Sequence, residues 1–165
     1  MAEFMGMTDL EFTHGWTKNM LSVMEKAKDE NVDTPELMRR CSSFCYGGKH
    51  IGDMVEPISS VEEFVACLKN DFSWGLQYDR ETNVLICNEN NTECLCPIVR
   101  AAGGDISSIM CHCTEGMLKT IFEVGMKKPV HTEMVTSIIR GGKSCVYKVV
   151  MDGLTEYEKD VFSEA

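Results

Sequence analysis

A chain of 165 residues is long enough to bury a real core and short enough to be one domain. With 44% hydrophobic and 25% charged residues its composition is that of a globular protein. The formal charge of -10 argues against a nucleic-acid partner, because phosphate binding needs clustered Lys and Arg, and the pairs Arg39-Arg40 and Lys127-Lys128 are too sparse for that.

The pattern predicts a first helix from Thr8 or Asp9 to about Asp29, with Trp16, Met20, Val23, Met24 and Ala27 at helical spacing and Lys18, Glu25 and Lys28 outside. His14 beside this stripe is given no role. A second helix starts at Thr34 as cap, with Pro35 first and Glu36 on the helix dipole, and stops at Gly47-Gly48. Leu37, Cys41 and Cys45 then share one face, with Phe44 beside them. Residues 49–59 read as a loop containing Pro57. Ser60-Val61-Glu62-Glu63 is a capping box for a short helix with Val61, Phe64, Val65 and Leu68 inward, and Cys67 there reads as packing.

From Trp74 the period becomes two. Trp74–Tyr78 and Val84–Cys87 read as strands around an Asp79–Asn83 turn, and Cys87 is expected in the core. After the turn at Asn88–Asn91, Glu93 to Ile98 begins a third strand of this meander, stopped by Pro97. Ala101–Asp105 is a hinge-like loop. Cys111-His112-Cys113 precedes a helix capped by Thr114, with Leu118, Ile121, Phe122 and Gly125 buried and Gly125 near its end. Val130–Ile139 and Cys145–Met151 form a hairpin about Arg140–Lys143, with Cys145, Tyr147, Val149 and Met151 on one face. The acidic tail after Gly153 is a short helix or a loose end.

The expected fold class is therefore α+β: N-terminal helices packed on an antiparallel sheet, with a C-terminal helix plus β-hairpin. One domain spans 1–165, mainly helical over 1–72, a meander over 73–100, helix and hairpin over 105–152, and acidic tail over 153–165.

No apolar run approaches the ~18 residues of a membrane span. Met1–Met7 lacks the basic and apolar regions of a signal peptide. A cytoplasmic location is the expectation. Nine cysteines there should be mostly reduced, and an odd number excludes complete internal pairing. Six fall in three close pairs: Cys41 and Cys45, Cys94 and Cys96, Cys111 and Cys113. Helical i, i+4 spacing brings the first pair to one side, while Cys-x-Cys strains against a disulfide of its own but can share a metal. These six are the candidate metal ligands. Zinc is the first expectation for a closed thiolate site, and an iron–sulfur cluster is the alternative, although the spacing does not match the ferredoxin runs. A thiol just before a helix start has a lowered pKa, so Cys111 or Cys113 would also suit a thiol oxidoreductase. A zinc-bound water would need a base, for which Glu115 or His131 could serve. His112 is expected to turn away from the thiols.

Gly125-x-x-x-Pro129-Val130, Glu133, Ser137-Ile138-Ile139-Arg140-Gly141-Gly142 and Cys145-x-Tyr147-x-Val149 together resemble the four-vinyl-reductase-like small-molecule-binding domains, over roughly residues 105 to 151. The same stretch is similar to the L-2-amino-thiazoline-4-carboxylate hydrolase-like proteins. The first likeness implies an α/β domain that holds small hydrophobic molecules, in some members with Cys-bound metal. The second implies ring-opening hydrolysis. A family cysteine expected near Thr136 or Ser137 is not there. The leading expectation is a metal-binding, small-molecule-binding or sensing domain. The rivals are a metal-assisted hydrolase, a thiol oxidoreductase and an iron–sulfur protein. The partner expected is a small-molecule ligand, with no nucleic acid and no membrane, and a homodimer left open.

Overall fold

The computed structural model describes residues 8–27, 34–101 and 108–165, which form a mixed helical and antiparallel-sheet fold. Helix α1 (Asp9–Ala27) opens on a reciprocal cap: Thr8 Oγ1 accepts from the Glu11 N–H at 3.2 Å while the Glu11 carboxylate accepts from the Thr8 N–H at 2.8 Å. Trp16 of its stripe is buried, and so is Phe12 one turn before it. The side chains of His14, Lys18, Val23, Met24, Glu25, Ala27 and Thr34, and residues Lys28 and Asp29, lie outside the described set.

The helix expected from Thr34 to Gly47-Gly48 is two, α2 (Thr34–Arg40) and α3 (Ser42–Gly48). The break is at Cys41. Its carbonyl accepts from the Asn19 side chain at 3.2 Å, and the Phe44 N–H reaches back only three residues to it. A side chain competing for a ladder carbonyl is a recognised cause of such interruptions. The expected 49–59 loop also contains a helix, α4 (Ile51–Val55). Ile51 and Val55 stand one turn apart and both are buried, and burying that pair favours the turn.

Helix α5 (Val61–Ala66) starts as its capping signal implies, with Ser60 Oγ accepting from the Glu63 N–H. The Glu63 carboxylate, however, reaches one residue further back, to the N–H and hydroxyl of Ser59. A π-helical turn, Cys67–Asp71, follows directly and directs Phe72 and Trp74 toward the core edge, their rings 4.9 Å apart. Cys67 is buried there, as expected of a packing residue.

Strands β1 (Gly75–Asp79) and β2 (Val84–Asn88) appear as the period-two pattern implies. The third meander strand does not. Residues 93–96 carry no strand, and Pro97 opens a helix, α6 (Pro97–Ala101), where its missing N–H is not needed. The expected loop at Ala102–Asp105 lies outside the described residues. Helix α7 (Cys111–Met126) starts three residues before Thr114, preceded by a 3-10 turn at Ser108–Met110. Cys111 and Cys113 therefore belong to its first turn rather than to its approach. Gly125 does not end it; Lys127 does, with φ 54°. A Cβ on Gly125 would stand 2.3 Å from the Phe64 ring, so the glycine serves packing. Strand β3 (His131–Thr136) is shorter than expected, because a 3-10 turn over Ile138–Arg140, capped by Ser137, replaces its end. Strand β4 (Val146–Val150) and helix α8 (Glu156–Ser163), with a full Thr155/Glu158 capping box, complete the chain.

The strands form one antiparallel sheet in the order β1-β2-β4-β3. β2 pairs with β4, so the expected meander and hairpin are joined edge to edge; Cys87 lies opposite Tyr147, and Leu85 opposite Val149. One face carries Leu85, Cys87, Tyr147, Val149, Thr132 and Met134, all buried, with helix α7, nine of whose sixteen residues are buried, packed on β3. On its far side α7 meets α2 and α3. Gly116 permits this approach: a Cβ there would lie 2.4 Å from the Arg39 carbonyl oxygen. Phe64 and Phe122 make an edge-to-face contact, with centroids 5.2 Å apart, between α5 and α7. No helix among the described residues is long and apolar enough to cross a membrane.

Candidate functional site

A cavity of about 330 Å³ opens where α3, α4, the Asp71–Trp74 segment, the loop before α6, the first turns of α7 and the start of β4 come together. Its wall is mainly apolar, from Phe12, Ile51, Met54, Phe72, Trp74 and Met117 among others. Six thiols interrupt that wall: Cys45, Cys94, Cys96, Cys111, Cys113 and Cys145. Five of these belong to the set read from the sequence. The remaining member, Cys41, is fully buried off the cavity at the α2–α3 break.

The thiols are not equivalent. Cys45 Sγ and Cys113 Sγ are in contact at 3.4 Å, joining α3 to the first turn of α7. The Trp16 indole N–H donates to Cys113 Sγ at 3.5 Å. The bond from Cys45 lowers the Cys113 pKa, burial opposes this, and Trp16 and the Lys49 charge add to the lowering. Cys45 moves the opposite way, first because it donates to Cys113 and then because it is buried. In this pair Cys113 is the sulfur that bears negative charge more readily.

A second group lies toward the sheet. Cys111 Sγ donates to Ser137 Oγ at 3.4 Å. The Cys145 side chain lies near enough to the Glu89 carboxylate to lower its pKa, and the Glu89 N–H binds the Cys145 carbonyl at 3.0 Å. After burial, which raises both thiols most, Cys94 and Glu89 are near enough to Cys111 and Cys145 to raise their pKa further. Burial lifts the Glu89 carboxyl to about 7, against the opposing effects of Lys49 and Cys145. Tyr147 is held neutral, chiefly by burial. Lys49 supplies positive charge on this wall, with its ammonium 5.7 Å from the Phe12 ring centroid.

As they stand, no three His, Cys, Asp or Glu side chains among the described residues converge closely enough to hold a metal ion. The donor set is nonetheless chemically suited to a soft divalent ion: thiols on flexible Cβ–Sγ bonds, with one carboxylate near Cys111 and Cys145.

The two candidate bases are elsewhere. His131 is exposed on the edge strand β3. Glu115 is buried behind the cavity wall, accepting from Arg39 Nε at 3.0 Å and from the Met134 N–H at 2.7 Å, with His112 Nδ1 2.7 Å away. Burial pushes its pKa up, but His112, the Met134 N–H and Arg39 together bring it below the ordinary value. Glu115 thus ties α2, α7 and the edge of the sheet together, and His112 is directed at it, away from the thiols. Sequence reading missed Glu89, Lys49, Cys145 and Tyr147 as site residues. For Cys145 and Tyr147 a signal existed, their common face on the last strand; for Glu89, in an Asn-rich turn, there was none.

No curated protein matches the chain. Among solved structures it is similar to the phenol-responsive sensory domain of the transcription activator PoxR with phenol, at 8% identity over 95% of this chain and 71% of that chain, with a TM-score of 0.31. A family model, described as a family of unknown function, matches residues 6–155. That match spans nearly the whole chain, which therefore belongs to this family, DUF6144.

Proposed function

We propose that the protein holds a small, mainly apolar molecule in the thiol-lined cavity, beside a soft metal ion, zinc first, bound by cysteines of its wall. The observation that carries this reading is the cavity itself. Its volume of about 330 Å³ is roughly twice the ~150 Å³ that accommodates a benzene ring, enough for a molecule of one or two rings. An apolar wall with a few polar groups is the usual composition of a ligand site. The resemblance of residues 105 to 151 to small-molecule-binding domains supports the same reading.

For the metal, Cys94, Cys111 and Cys145 with Glu89 are the favoured ligands. They come from three segments around one end of the cavity, and a cation there would satisfy a carboxylate that burial otherwise keeps half protonated near neutrality. The thiols would have to swing together by side-chain rotation, since three are not yet within ligand distance of one point. Cys45, Cys96 and Cys113 form the alternative set.

The test is metal content of the purified chain, with thiol titration before and after chelation. The expectation is about one zinc per chain. Cys111→Ser and Cys145→Ser should lose it, and Cys45→Ser should keep it. A metal lost in Cys45→Ser but kept in Cys145→Ser would move the site to the α3–α7 wall. Full thiol reactivity with no metal would refute the metal, and a visible chromophore would assign iron–sulfur instead. The ligand half is tested separately: Met117→Trp, which fills the cavity, should abolish binding of a small aromatic probe such as phenol or indole, and undiminished binding would refute it.

A further inference from the structure

The contact between Cys45 and Cys113 lies outside the favoured ligand set of Cys94, Cys111, Cys145 and Glu89 and has chemistry of its own. We propose that Cys45 and Cys113 form a reversible dithiol–disulfide pair, oxidised by a small hydroperoxide that enters through the cavity. Among the described residues they are the one pair of thiols in hydrogen-bond contact, at 3.4 Å. A disulfide requires about 2.05 Å, so the sulfurs need to close by about 1.4 Å. They come from α3 and α7, which pack directly on each other and are 68 residues apart in sequence, so closure draws on side-chain rotation between fixed helices.

Access is through the cavity. Both residues are buried yet both line its wall, whereas Cys41, Cys67 and Cys87 are buried off it. The Trp16 indole N–H, on Cys113 Sγ at 3.5 Å, holds that sulfur in place and favours electron density on it. The other cavity thiols have different neighbours: Cys111 meets the Ser137 hydroxyl and Cys145 the Glu89 carboxylate.

In the reaction the Cys113 sulfur attacks the terminal peroxide oxygen of ROOH, the O–O bond breaks, and ROH leaves with the thiol proton. Cys113 is then a sulfenic acid. The Cys45 sulfur attacks it, forming the S–S bond and breaking the S–O bond, and the hydroxyl departs with the Cys45 proton as water. The two sulfurs lose two electrons, which reduce ROOH to ROH and H2O. Two equivalents of a small thiol return the pair to the dithiol and leave as their own disulfide.

The experiment uses the full chain, reduced and freed of metal by chelation, so that it does not depend on the metal reading. One equivalent of tert-butyl hydroperoxide is added, thiols are counted after denaturation, and linked peptides are sequenced by fragmentation. The expected result is a fall from nine thiols to seven and a link between the tryptic peptides 41–49 and 101–119, placed by fragment ions on Cys45 and Cys113. Cys45→Ser should stop at a sulfenic acid on Cys113 that dimedone traps, and Cys113→Ser should lose the rapid two-thiol step. Nine surviving thiols, or a link between any other pair, would overturn the proposal even if either variant proved unstable.

Discussion

Replacing Glu89 with Gln tests the electrostatics of the cavity wall. Burial raises the Glu89 carboxyl to about 7 from an ordinary 4.5. A carboxyl with a raised folded pKa favours the folded state where it is protonated. That contribution is complete below the unfolded value of 4.5 and is lost as pH rises through 7. At about 1.36 kcal/mol per pH unit the difference amounts to about 3 kcal/mol, a large part of a typical domain's stability. Gln keeps the shape and never ionises. In metal-free protein, urea unfolding followed by tryptophan fluorescence should therefore show the stability of Glu89→Gln rising relative to wild type by about 3 kcal/mol between pH 4.5 and 8. A difference that stays flat over that range would refute a Glu89 carboxyl raised to about 7. Saturating zinc, bound as proposed, should hold the carboxylate ionised and remove the slope.

Gly116→Ala should cost about 1–3 kcal/mol in the same unfolding assay, because its Cβ would press on the Arg39 carbonyl oxygen and on Ser42 Oγ, and backbone yields less than a flexible side chain. A neutral result would mean that α2 and α7 can separate without loss. Glu115→Gln should cost about 3 kcal/mol near neutral pH, since a buried carboxylate loses its bonds to Arg39 and His112. The folded pKa of Glu115 is depressed, so its contribution is present above 4.5 and is lost as pH falls through the folded value; the variant should show a shallower acid-side decline. Parallel acid limbs for the two proteins would contradict this.

Much of this protein is written locally. The start of α1, the capping signal of α5, the alternation in β1, β2 and β4, and the common face of Cys145, Tyr147, Val149 and Met151 depend on neighbours within a few residues, and the pattern predicts them. The concentration of thiols is equally plain in the sequence. What required the tertiary structure is whatever depends on a distant partner. Asn19 interrupts the helix at Cys41, and Phe64 explains Gly125 from across the core. The segment before Pro97 pairs with no strand, because β4 already occupies the free edge of β2. The division of the thiols is of the same kind: spacing pairs Cys111 with Cys113, but a helix turns successive side chains by about a hundred degrees. Those two sulfurs accordingly take different neighbours, Ser137 beside the sheet and Cys45 beneath Trp16.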